Sequence, residues 1–156
     1  MSAKAYSILK WALLPFWLVW DFPTFLLGGI IWLVNCRKAK RKSQDGISYY
    51  LLNSGNPVYG VSLFPFVFLT PQYENRITIH HEWGHEIQAM ILGWLYLIVI
   101  GIPSGLSNTR LAGFIGLSHS SEYDYYWRFP WERWADRNGK VLRIVNEKTK
   151  TLSRTL

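Results

Sequence analysis

The sequence predicts a mainly α-helical membrane protein with a small β-hairpin or edge strand, and three observations carry that expectation. Residues 11–36 hold one charge, Asp21, and residues 87–109 hold none. Stretches of that length approach the roughly 20 apolar residues needed to cross a bilayer core. Five basic residues, Arg37, Lys38, Lys40, Arg41 and Lys42, follow the first stretch directly, the arrangement that holds a juxtamembrane segment on an anionic cytoplasmic leaflet. Between the apolar stretches the pattern changes to short aromatic and β-branched runs separated by turn residues. A length of 156 residues suits one domain. The single cysteine, Cys36, excludes a disulfide-stapled fold, and nine Trp, nine Tyr and eight Phe exclude disorder.

Residues 1–46 are expected to form a membrane anchor with its basic juxtamembrane block. No small-residue cleavage site follows the first apolar run, so the segment is a retained anchor rather than a signal peptide. Pro15, Asp21 and Pro23 interrupt it, which leaves one kinked helix or a hairpin of two short helices. Asp21 is expected to cap the second half, and Trp11, Trp17, Trp20 and Trp32 suit interfacial belts. The formal net charge of +7 is not accompanied by an RNA or DNA motif. It is therefore assigned to membrane lipid and not to nucleic acid.

Residues 47–139 are expected to form the working core, and residues 140–156 a polar tail. Gln44-Asp45-Gly46 is turn chemistry, and residues 47–52 are strand-like. After a second turn cluster at 53–57, residues 58–70 suit one strand, placed at a sheet edge because Pro65 has no N–H to donate. A helix is expected from Glu74 or Asn75, running past His81 to about Ile100 and dipping into the membrane.

That helix carries His81-Glu82-Trp83-Gly84-His85. Histidines four residues apart lie on one helical face and can both reach one zinc ion. Glu82 stands beside the open coordination position, where it can take a proton from an activated water. Two histidines leave zinc one protein ligand short. Further on, Pro130 opens and Gly139 closes a helix holding Glu132 and Asp136 on one face. One of these acids can ligate the metal while the other accepts the free ring N–H of a ligand histidine. The ordinary alternative makes both exposed acids that pair with Arg133 and Arg137.

The pair of motifs resembles the gluzincins, the thermolysin-like zinc peptidases, whose signature is His-Glu-x-x-His followed by Glu-x-x-(Ser/Ala)-Asp. Here the match is His81-Glu82-Trp83-Gly84-His85 with Glu132-Arg133-Trp134-Ala135-Asp136. The resemblance implies a minimal zincin-like α+β catalytic core. It also implies zinc held by His81, His85 and Glu132, Glu82 as general base, and Asp136 orienting one histidine. The expected function is a membrane-bound zinc peptidase. Its substrate would be a membrane protein or membrane-associated peptide, and its site would lie near the cytoplasmic face of a bacterial inner membrane. His119, Tyr123, Tyr125, Tyr126 and Arg128 supply the side-chain types suited to stabilise an oxyanion. A site-2-protease-like intramembrane protease is the nearest alternative enzyme. A membrane adaptor with a structural metal or none is the alternative outside enzymes.

Overall fold

The structure is a computed structural model that describes residues 3–56, 60–107 and 129–141. Three helices open the chain: α1 (Ala3–Ala12), α2 (Leu14–Trp20) and α3 (Phe22–Asn35). The strands β1 (Lys40–Gln44), β2 (Ile47–Leu51), β3 (Gly60–Leu63) and β4 (Phe66–Leu69) follow, and then α4 (Arg76–Leu92). A π-helical turn over Leu97–Gly101 leads into α5 (Ile102–Ser107), and α6 (Pro130–Gly139) is the last described element.

The sheet has strand order β1-β2-β4-β3 and is mixed. β1 and β2 form an antiparallel hairpin whose two-residue turn is Asp45-Gly46, both at positive φ, the conformation that suits Asp-Gly in tight hairpins. β2 then runs parallel to β4, while β3 and β4 are antiparallel. The single edge strand expected over 58–70 is, in its described part, two strands, β3 and β4. The chain reverses at Phe64-Pro65, where the missing N–H of proline falls in a turn and breaks no ladder bond. The basic block enters the sheet, with Lys40, Arg41 and Lys42 forming the exposed half of edge strand β1.

One face of the sheet packs on α4. Ile47, Tyr49, Val67 and Leu69 from the strands meet Ile79 and Trp83 from α4, and Tyr6 of α1 closes the cluster. The helix begins where expected: the Asn75 side chain accepts the Thr78 backbone N–H at 2.9 Å, an N-cap that satisfies one of the orphan donors of the first turn. It ends at Leu92 and not near Ile100. Gly93 sits at φ +55 with the Trp20 backbone so close that a Cβ would stand 2.5 Å from its carbonyl oxygen. Only glycine meets both demands.

These breaks overturn the expected fold class. The protein is α+β with a four-stranded mixed sheet, and among the described residues no single helix is long and apolar enough to cross a membrane. α2 and α3 have the required length and composition only when taken together, and they bend by 104° at Asp21. Pro15, Asp21 and Pro23 cut the apolar run into pieces too short to span, as Gly93 does for the second run.

Two buried polar groups lie in the N-terminal region, and one of them ties α1 to α4. Lys10 of α1 makes an ion pair with Glu86 of α4 at 2.7 Å, and the Tyr6 hydroxyl donates to the same carboxylate at 3.0 Å. Both ends of the pair are almost fully buried, so removing either would strand a charge without water. Asp21 precedes α3, but its carboxylate does not cap that helix, and both oxygens are buried without a hydrogen-bond partner. Burial pushes the Asp21 carboxyl up to about 7, and the nearby Thr24 hydroxyl offsets only part of that rise.

An acid whose folded-state pKa is raised binds its proton more tightly folded than unfolded. Its contribution is complete below the ordinary carboxyl range and is lost as pH rises through about 7. Chemical denaturation at pH 5 and pH 8 should show the wild type losing roughly 2.5 kcal/mol between them from this group. Asp21→Asn should remove most of that difference. Equal pH dependence in the two proteins would show that Asp21 is not the group responsible.

Candidate metal centre

α6 lies directly against α4, and glycines make the approach that close. A Cβ on Gly84 would stand 1.9 Å from the Ala135 carbonyl oxygen, and one on Gly139 would stand 1.9 Å from the His80 carbonyl oxygen. Helices that touch through backbone sit nearer than the usual 8–10 Å between axes. The consequence is that short side chains on the two facing stripes reach one another. Pro130 opens α6, and Lys140 in the left-handed region closes it, with the Val141 N–H bonding to the Asp136 carbonyl at 2.8 Å.

His81, His85 and Glu132 meet in this contact, all buried. His81 Nε2 and His85 Nε2 are 3.1 Å apart, and Glu132 Oε2 is 3.1 Å from the first and 3.2 Å from the second. The other nitrogen of each ring is also engaged. His81 Nδ1 is 2.7 Å from Asp136 Oδ1, and His85 Nδ1 is 2.7 Å from Gln88 Oε1. The Gln88 amide is fixed by its own N–H, which donates to the Trp131 carbonyl at 2.8 Å. Its oxygen therefore faces His85, and Nδ1 must be the donor. Asp136 makes the same demand of His81. With both Nδ1 atoms carrying protons, both Nε2 lone pairs point at the carboxylate oxygen. With both rings neutral, three acceptors among the described residues would share one buried point, which calls for a cation, either a metal ion or the proton that His81 takes up without one.

The group could hold a metal ion. Two ligands bound tetrahedrally at 2.0–2.1 Å stand about 3.3 Å apart, close to the edges of the triangle seen here. Glu132 Oε1 is buried with no hydrogen-bond partner, so its carboxylate has capacity to spare toward the same point.

The electrostatics agree with a site built for positive charge. Burial alone would raise the Glu132 carboxyl, but hydrogen bonds and charge from His81 and His85 hold it well below the usual carboxylate range. Burial works to lower His81, yet Asp136, Glu132 and Glu82 outweigh it and bring the ring to about 9. Glu82 is raised, chiefly by burial, with the two histidines pulling the other way and Glu132 and Glu86 adding to the rise. Its carboxylate reaches the start of edge strand β3, where a Cβ on Gly60 would stand 2.9 Å from Oε1.

The structure thus brings together His81, Glu82, His85, Glu132 and Asp136. His119, Tyr123, Tyr125, Tyr126 and Arg128 lie outside the described residues. His80 faces away from the cluster, between the Gly139 carbonyl and Asp45, and Glu86 belongs to the Lys10 pair. Gln88 went unnoticed in the sequence. Its signal was a lone amide in an otherwise apolar run three residues after His85, one helical turn along the same stripe. Comparison with protein families, with curated proteins and with solved structures returns no match for this chain.

Two substitutions test the architecture. Gly84→Ala should force α6 away from α4, lowering stability by at least about 3 kcal/mol in thermal denaturation and abolishing metal uptake. Gln88→Leu keeps the volume but leaves the His85 N–H unanswered. It should weaken metal affinity roughly 10- to 100-fold with the circular dichroism spectrum unchanged. Undiminished affinity in the Leu variant would mean that His85 does not need this amide to hold its tautomer.

Proposed function

We propose that the chain is a zinc-dependent peptidase. The reading rests on one observation above the others: the inner nitrogens of His81 and His85 and one Glu132 oxygen converge within 3.2 Å of one another on one buried point. A donor set of two imidazoles and one carboxylate, with at most four-coordinate spacing, favours zinc among the common divalent ions. Asp136 and Gln88 would keep both histidines in the ligating tautomer. When bound, zinc would supply a Lewis acid for the scissile carbonyl and would lower the pKa of the attacking water.

Glu82 is the residue placed to move protons. It follows His81 on α4 and is not one of the three candidate ligands, which would leave its carboxylate available as base toward water and as donor to a leaving amine. Edge strand β3 runs away from it. The Ser62 carbonyl already accepts the Tyr96 hydroxyl at 3.3 Å, which leaves the Gly60 end for an extended peptide to lie against. That end is the one beside Glu82. The resemblance to gluzincins in the two motifs supports the same assignment, with Glu132 in the third ligand position. The site-2-protease alternative takes an aspartate there and fits the triangle less well. A structural metal in an adaptor protein shares the ligands and differs only in having no use for Glu82.

Mass spectrometry of the purified chain should find near one zinc per molecule, and Glu132→Ala should lose it. Glu82→Gln should retain zinc while lowering hydrolysis of a quenched-fluorescent peptide library at least ~100-fold. Zinc undiminished in Glu132→Ala would remove that residue from the ligand set. Zinc present with no Glu82-dependent hydrolysis would favour the adaptor.

A further inference from the structure

The metal centre leaves one large feature of the surface unused. α2, α3 and the segment from Ile91 to Leu106 expose large apolar side chains, among them Val19, Leu26, Leu33, Val34, Trp94 and Ile98. The two segments form one surface. The Phe22 and Trp94 rings lie 6.4 Å apart, the Trp20 indole N–H donates to the Met90 carbonyl at 2.9 Å, and the Trp94 indole N–H donates to the Val19 carbonyl at 2.7 Å. Monomeric water-soluble proteins seldom expose contiguous apolar patches above a few hundred square ångströms.

Three properties identify what covers it. No charge reaches the surface from residues 11–36 or 87–107, because Asp21 is fully buried and the rest are uncharged. Three polar groups of the patch are answered internally: the indoles of Trp20 and Trp94 bond to backbone carbonyls near the breaks that end α4 and α2, and the Asn35 amide donates to the Ile31 carbonyl at 2.8 Å. Internal satisfaction is what hydrocarbon demands and water does not. The rim is strongly basic. Arg37, Lys38, Lys40 and Arg41 follow α3 within six residues of its end, all exposed and none in an ion pair with an acid among the described residues. A second copy of this chain would present the same positive rim and be repelled there, whereas anionic headgroups would be drawn to it.

We infer that this face docks on an anionic lipid bilayer, the bent α2–α3 pair entering a single leaflet with the Arg37–Arg41 block against the headgroups. The dimensions require one leaflet. α3 is 14 residues long, which gives about 21 Å against a hydrocarbon core of about 30 Å, and the 104° bend at Asp21 turns the chain before it can cross. Trp11, Trp20, Trp32 and Trp94 are exposed around this surface, as interfacial anchors are. The inference does not depend on the peptidase reading, since none of its residues touches the metal centre.

The test is flotation of the detergent-depleted full chain with vesicles of phosphatidylglycerol or of phosphatidylcholine. The wild type should float with both, at least roughly tenfold more strongly with phosphatidylglycerol, and should stay bound through a 1 M salt wash because apolar insertion is not screened. Val19 and Val34 are 72% and 79% exposed and pack against little. Val19→Lys with Val34→Lys should therefore keep the near-ultraviolet circular dichroism of the wild type and lose vesicle binding at least roughly tenfold. Replacing Arg37, Lys38, Lys40 and Arg41 by Gln should erase the preference for phosphatidylglycerol and leave binding to phosphatidylcholine unchanged. Three results would overturn the inference: wild type left at the bottom of the gradient, unaltered flotation of the double Lys variant, or a lipid-free dimer in sedimentation that the same two substitutions dissociate. A chain that floats but binds no zinc would refute the peptidase and leave this inference standing.

Discussion

Backbone contact between α4 and α6 is the constraint from which the rest of the site follows. Gly84 faces the Ala135 carbonyl and Gly139 faces the His80 carbonyl, with no room for a methyl group at either place. Because the helices are so close, Glu132 and Asp136, one turn apart on α6, reach the two rings that stand one turn apart on α4. Asp136 takes the outer nitrogen of His81, and Glu132 lies between the inner nitrogens of both rings. Moving α6 outward by the width of one methyl would spoil every distance in the triangle at once. Packing and chemistry are therefore the same requirement here.

α4 is held on its other sides with comparable firmness. The sheet supplies Val67 and Leu69, α1 supplies Tyr6 against the Trp83 ring, and the Lys10–Glu86 pair ties α1 to the residue that follows His85. Buried ion pairs add little net stability, but they penalise any arrangement that separates the partners. The pair thus specifies how α1 sits on the helix that carries the cluster. A buried site with converging acceptors needs that rigidity, since its histidines repel one another whenever no cation or proton lies between them.

The molecule divides its charge by region. The residues that bear on the metal centre are mostly titratable and buried, five of the 17 basic residues fall together on β1 and the turn before it, and α2 and α3 present apolar side chains. Asp21 is the exception, a carboxyl enclosed at the bend where α2 and α3 meet. Its raised pKa keeps it largely protonated below pH 7, where an ordinary aspartate would be ionised. Between the proposed lipid face and the metal centre lies β3, whose Leu63 end meets Gly28 of α3 and whose Gly60 end meets Glu82.

Local chemistry was legible in the residues themselves. Asp45-Gly46 announces a turn, though not that the basic block before it is a strand; Asn75 announces the start of α4, Pro130 and Gly139 the limits of α6, and a spacing of four places His81 and His85 on one face whatever the surroundings. Each of these depends on interactions within a turn or two, which sequence order specifies directly. The apolar runs misled, because composition measures how greasy a segment is and not whether it stays straight. Gly93 ends α4 where Trp20 lies against it, and residues 60–69 form a hairpin in which β4 finds β2 as a parallel neighbour. Gln88 acquired its place only when α6 brought the Trp131 carbonyl within reach. Which acid enters the cluster and which stands behind a histidine was equally open in sequence, since Glu132 and Asp136 share one face. Only the approach of two helices separated by 37 residues decides it, and that approach is a property of packed backbones that no local pattern encodes.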